Sequence, residues 1–173
     1  LWVDPSIRSQ TLTTNQLPEG VYDFCLTLID DKGNNLTQSG EICRLFTLLV
    51  PDPPVLIYPE NFQYVQPGVN PTFVWTPTVA AGGFPIYYRV RISPVFEGQN
   101  ARFAIDYNEI LHEHDNISST SFLYPPSALP FSAYPTAVGF VWQVQAVDFN
   151  GNPASRNQGK SEISFFRIGD RLN

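Results

Sequence analysis

Two cysteines, two histidines, no methionine and ten basic residues in a chain of 173 are a short supply of chemistry, and each scarcity excludes something. Ten Lys plus Arg, dispersed, stand against sixteen acids for a net charge of −6. Phosphate contact needs concentrated cations, so neither a nucleic acid nor an anionic membrane surface is an expected partner. No run of about 18 apolar residues occurs, so no membrane span is expected. Leu1-Trp2-Val3 has no basic n-region and no initiator Met, and the chain is expected to be a mature product or a segment of something longer. Catalytic patterns are missing as well. There is no GxSxG, no HExxH and no phosphate loop, and the two His residues, 112 and 114, leave little from which to assemble a Ser-His-Asp triad. The chain is expected not to be an enzyme and to carry no cofactor.

What is abundant is apolar and turn-forming. Hydrophobic residues make up 43% and aromatics 14%, enough for a real core, while 16 Pro and 11 Gly are scattered without a period. No segment carries a long helical periodicity, and many turns between short strands imply an all-β fold. The clearest strand is within 139–151, GFVWQVQAVDFNG. Phe140, Trp142, Val144 and Ala146 alternate with Val141, Gln143, Gln145 and Val147, as in a strand packed on one side only. Asp148 to Gly151 then reads as a hairpin turn.

This segment has an upstream copy. Leu17-Pro18 precedes GVYDFCLTLIDDKGN as Leu129-Pro130 precedes GFVWQVQAVDFNGN; Tyr22 lies eleven residues before Gly33, and Phe140 eleven before Gly151. Each copy continues through a polar loop with a Gly (Gly40, Gly159) into an apolar strand beginning Glu-Ile (Glu41-Ile42, Glu162-Ile163). Such self-similarity indicates tandem modules. One sandwich module takes about 100 residues, so there is room for roughly one and a half. The Pro-rich stretch 51–54 cannot continue a ladder and marks the boundary. Residues 1–51 are expected to be the C-terminal part of a first, incomplete β-sandwich, carrying one strand-like run within 1–16. Residues 52–169 are expected to be a complete seven-stranded one, and 170–173 a tail. In the second module, strands are expected at 55–58 (an edge), 72–75, 86–93, 120–123, 139–147 and 162–168, with 96–119 irregular. Tyr22, Phe24, Trp75, Tyr88, Phe140 and Trp142 are the expected core, with Trp75 and Trp142 in contact, and Gln143 and Gln145 point to solvent.

WTP at Trp75, YRVRI from Tyr88 to Ile92, and FVWQVQAVDFNG after Leu129 resemble strands of a fibronectin type III domain. Leu17-Pro-Glu-Gly-Val-Tyr22 is similar to that family's tyrosine corner, in which the Tyr hydroxyl bonds back to upstream backbone. Phe140 stands where the second corner would need Tyr. LPEGVYDFC with a second Cys and PDPPVLIYP resembles, more narrowly, repeats of large secreted or surface proteins of Bacteroidota, including TANFOR-type repeats exported by the type IX secretion pathway. The resemblance implies fibronectin type III-like or immunoglobulin-like modules that are exported, extracellular or outer-membrane associated, and contacted by other protein chains or neighbouring modules.

Cys25 and Cys43 fall roughly opposite one another on the first motif's hairpin, and a bridge would close a loop of about 18 residues. The alternative is two free thiols that happen to face each other. A bridge would place maturation in an oxidising compartment. His112 and His114, near Asp106, Glu109, Glu113 and Asp115, have the chemistry of a zinc or copper fragment, and the three carboxylates Asp106, Glu109 and Glu113 that of a calcium site. A solvated acidic loop is the commoner meaning of such a run, and no metal is expected. Phe96, Phe103, Tyr107, Phe131 and Tyr134 are candidates for stacking on a sugar or a partner; otherwise they cover the open end of the core. The favoured expectation is a rigid spacer and docking module making mostly polar contacts, with a surface glycan as the alternative ligand.

Overall fold

The computed structural model describes residues 4–14, 17–37, 42–79, 84–128 and 130–169. The expectations that fall on Gly40, Glu41, Leu129 and the tail 170–173 lie outside the described residues. The chain forms two compact units, Leu1–Val50 and Pro51–Asn173. Strands dominate both, with two short α-helices among the described residues.

In the first unit, the strand-like run expected within 1–16 is instead a helix, α1 (Pro5–Thr14). The start signal is local. Asp4 accepts hydrogen bonds from the Ser6 amide at 2.8 Å and from its hydroxyl, and Pro5 occupies the first turn, where a missing N–H costs nothing. Strands β1 (Gly20–Leu26) and β2 (Ile42–Leu48) then pair antiparallel, with Tyr22 opposite Phe46 and Cys25 opposite Cys43. The two sulfurs are bonded. Tyr22 donates its hydroxyl to the carbonyl of Pro18, the bond that the resemblance to a tyrosine corner implies. Its ring stacks on Phe46 at 5.3 Å.

The second unit is built from two facing sheets. The smaller has the order β3-β5-β8, from β3 (Leu56–Tyr58), β5 (Thr72–Trp75) and β8 (Ser121–Leu123). The larger has the order β4-β10-β9-β6-β7, from β4 (Gln63–Val65), β6 (Tyr87–Val95), β7 (His112–Ile117), β9 (Gly139–Val147) and β10 (Ser164–Ile168). β4 runs parallel to β10 and the other neighbours are antiparallel. Between the sheets lies an aromatic core. Trp75, Tyr88, Phe140 and Trp142 are all buried there, with Phe73 and Phe166. Phe73 meets Trp142 edge-on at 4.9 Å, while the Trp75 ring meets Tyr88 at 5.4 Å. The two tryptophans therefore share one cluster, each with its own aromatic partner. The indole N–H of Trp142 donates to Pro59 O at 3.3 Å, which satisfies it in an otherwise apolar setting.

Three expectations are corrected here. The region 96–119 is ordered secondary structure: α2 (Ala101–Tyr107), started by Asn100 accepting from Phe103 N at 2.8 Å, and the strand β7. The strand β9 is packed on both sides, because α2 lays Ala104 and Ile105 over Val95 and Val141 in a second small core. Gln143, expected in solvent, is consequently buried and donates to Ser161 O at 2.8 Å; Gln145 donates to Gln158 O at 2.9 Å. These amides hold the incoming 157–161 segment against the strand. The third correction is Phe24, expected in the core but 59% exposed. Among the described residues of its unit, no second sheet covers that face of β1.

The two hairpins are locally the same object. Asp30 Oδ1 accepts from the amides of Lys32 and Asn34, and Asp30 Oδ2 from the Asn34 side chain; Asp148 does the same with Asn150 and Asn152. Gly33 and Gly151 take φ +85° and +82°. Phe140 faces Phe166 across the second hairpin as Tyr22 faces Phe46 across the first.

Candidate binding surfaces

The carboxylates and imidazoles around 106–115 are separated by the elements that carry them. On β7, period two puts Glu113 and Asp115 on one face and His112 and His114 on the other. Arg89, on the neighbouring β6, reaches both acids: its Nε lies 3.5 Å from Glu113, and it is hydrogen-bonded to Asp115. These charges sit on an edge strand, where they discourage pairing with another chain. Asp106 faces Arg102 one helical turn away, at 4.0 Å. Glu109 instead accepts from the Tyr134 hydroxyl, so this phenol is raised above its usual pKa by burial first and by the carboxylate second. The three calcium candidates Asp106, Glu109 and Glu113 thus have three different partners. Among the described residues, no group of three or more His, Cys, Asp or Glu converges on a common point.

The two imidazoles have a packing role. Their rings are nearly parallel, 6.2 Å apart, and both stack on Phe122 of the opposite sheet, at 5.4 and 5.2 Å. His112 also meets Tyr124 edge-on at 5.3 Å. The pair closes the seam between the edge strands β7 and β8. Nε2 of His112 is buried without a hydrogen-bond partner. Burial, and secondarily the neighbouring His114, hold the His112 imidazole below its ordinary pKa. The Tyr124 hydroxyl is pushed up to about 12 by burial.

The five aromatic candidates divide into three groups. Phe131, on the 3₁₀ turn Phe131–Ala133, is a core plug, 4.6 Å from Tyr124 and 4.8 Å from Phe140. With Tyr134 it also walls an open cleft of about 700 Å³ at one end of the sandwich, which Tyr64, Val138 and Arg167 complete. Arg167 donates to the Tyr64 hydroxyl at 3.1 Å, and its guanidinium lies over the Tyr64 ring at 5.8 Å and the Phe165 ring at 5.3 Å. Tyr64 and Arg167 are the cleft residues the sequence reading missed. Arg167 falls in the strand expected at 162–168 without being singled out, and Tyr64 lies in a strand of three residues, too short to distinguish from a loop. Phe103 and Tyr107 form the second group, a ring pair 5.2 Å apart on the outward side of α2, with Tyr107 76% exposed. Phe96 stands alone, half-buried, its amide tied to the Gln99 side chain at 3.0 Å.

The two-stranded ribbon of the first unit exposes a row of apolar side chains. Phe24 and Leu26 on β1 lie opposite Arg44 and Ile42 on β2, with Phe46 completing the face; Leu26 is 48%, Ile42 51% and Phe46 42% exposed. The disulfide lies on the other side, next to Asp23 and Leu45. This surface is apolar where polar contacts are expected. Neither a family model nor a curated protein matches this chain.

Proposed function

We propose that this chain is a non-catalytic, exported docking and spacer module of a larger surface or secretion-linked assembly, built from fibronectin type III-like repeats. The observation that carries the reading is the apolar face of the β1–β2 ribbon, held in shape by a disulfide yet left open to solvent. Exposed contiguous apolar surface of this kind is characteristic of protein contact sites. The disulfide supports an extracytoplasmic location. The two-sheet architecture of the second unit, with a three-stranded sheet facing a larger one, supports the immunoglobulin-like resemblance. The engagement of Glu113 and Asp115 by Arg89, of Asp106 by Arg102 and of Glu109 by Tyr134 supports a scaffold rather than a reaction centre. Fractionation of native cells, with alkylation before lysis, tests the reading. The protein is expected in the envelope or medium, with Cys25 and Cys43 protected and in a complex with other proteins. Recovery from the cytoplasm with both thiols alkylated would overturn it.

A second reading, glycan binding, is favoured by one observation, the aromatic cleft with Tyr134, Tyr64 and Arg167 at its rim. Micromolar binding on a glycan array that is lost in Tyr134→Ala, or in Tyr107→Ala on α2, would put this reading first.

A further inference from the structure

Two neighbouring strands of the second unit meet without sharing a sheet. β7 ends the larger sheet and β8 the smaller, so each has one paired neighbour, β6 and β5 respectively. Residues 118–120 join the two strands, and among the described residues no backbone ladder crosses the seam between them. Rings bridge it instead. His112 and His114 of β7 stack on Phe122 of β8, and His112 meets Tyr124 edge-on. A seam between two edge strands opens locally at less cost than the interior of a sheet.

Nε2 of His112 is buried in this seam and has no hydrogen-bond partner. An imidazolium donates from both nitrogens, so a proton taken up here shuts in a charged donor without an acceptor, a cost that attraction to the Phe122 face offsets only in part. The surroundings supply no counter-charge. On β7, Glu113 and Asp115 lie on the other face, where Arg89 of β6 engages them, while His114 shares the face of His112 and opposes a second cation. β6 presents Ile92 opposite His112, with Arg91 on the far face opposite Glu113. β8 presents Phe122, and its continuation presents Tyr124, which is coupled to Tyr134 and through it to Glu109. Swung out into water, the same imidazole takes up its proton at about pH 6.5.

We propose that the stack of His112, His114 and Phe122 is an acid-released latch: in mild acid His112 takes up a proton and leaves the seam, and β7 and β8 part locally while both sheets stay folded. Burial disfavours the proton in the closed seam. Opening therefore takes up a proton and is favoured progressively as the pH falls below about 6.5. Release uncovers Phe122 and Tyr124. Tyr124 lies 4.6 Å from Phe131, and both rings line a cleft of about 320 Å³ together with Pro125 and Pro126. One side-chain proton thereby sets how much aromatic surface this end of the unit presents.

The test uses the intact oxidised chain, with the His112 ring proton resonance and amide protection factors followed from about pH 8 to about pH 5. His112 is expected to titrate below about pH 6.5, with the ring resonances of Phe122 and Tyr124 moving at the same midpoint. Amide protection over 112–117 and 121–124 should fall at least about tenfold across this range, while 140–147 keeps its protection. His112→Phe, which leaves a ring in the stack and takes no proton, should hold the seam closed. His114→Phe should retain the fall and move its midpoint to higher pH, because a like charge is gone. An equal fall in His112→Phe, or a parallel fall at 140–147, overturns the proposal. So does a His112 that stays neutral down to about pH 5, or one that titrates while the seam amides keep their protection. These last two outcomes are read in the unsubstituted chain, so the test stands even where a variant does not fold.

Discussion

Trp142 shows how much one side chain can carry in this protein. It is fully buried, its ring meets Phe73, and its N–H has a partner at Pro59. Trp142→Ala therefore opens a large cavity and leaves that carbonyl one donor short; a loss of about 3–5 kcal/mol is expected in denaturant unfolding of the second unit. A loss below about 1 kcal/mol would mean that the strand faces the other way. His112 makes a different contribution, dependent on pH. Its pKa in the folded chain lies below the ordinary value because burial opposes the charge, so the unfolded chain binds the proton more readily. The stability it contributes is complete above about pH 6.5 and is lost progressively as the pH falls below that value. Melting temperatures measured across this window should fall toward acid, and His112→Phe should flatten the slope. A slope unchanged by the substitution would assign the titration to another group.

Glycines separate backbone geometry from close packing within these elements. Gly151 sits at φ +82° in the second hairpin with open space where a Cβ would go, whereas at Gly159, φ +77°, a Cβ would collide with the Ala146 carbonyl of β9. Gly151→Ala should thus cost about 1 kcal/mol, for the left-handed backbone alone. Gly159→Ala should cost clearly more, because the 157–161 segment must leave the strand and release the bonds made to Gln143 and Gln145. Equal losses in the two variants, measured by urea unfolding, would show that this segment yields freely. The repeated hairpin itself is readable in the sequence, because Asp and Asn at the turn ends and Gly at the left-handed position are local requirements. The helix α1 was equally local, announced by Asp4-Pro5, but its apolar residues form no periodic stripe to make it visible. Helix α2 and strand β7 were hidden for another reason. Their sequences are short and charged, and they are ordered by what they lie against: Val141 for the helix, β6 and Phe122 for the strand.

For the chain as a whole, the two units should respond differently to reduction. A two-stranded sheet is marginal in water without a second layer, and the bridge closing about 18 residues contributes about 3 kcal/mol in the chain-entropy view. Reduction is expected to release amide protection at β1 and β2 while the melting temperature of the second unit stays the same. If protection at β1 survives reduction, the ribbon is held by something other than the disulfide.

Alternation, turn chemistry and the position of two cysteines are properties of neighbours in the chain. They were sufficient for the strand-rich class, the duplicated hairpin, the Cys25–Cys43 bridge and the tryptophans of the core. Which side of a strand meets water is not a neighbour property. Gln143 and Phe24 both lie on strands whose alternation was read correctly, and each ended in the opposite environment from the one expected. Gln143 is buried where a segment from elsewhere in the chain, 157–161, lies against the strand and Ser161 O accepts from its amide. Phe24 is exposed because burial requires a second sheet, and none covers it among the described residues of its unit. The cleft of Tyr64, Tyr134 and Arg167 likewise exists only because β4 joins β10 in parallel, a pairing between segments about 100 residues apart that no short-range pattern encodes.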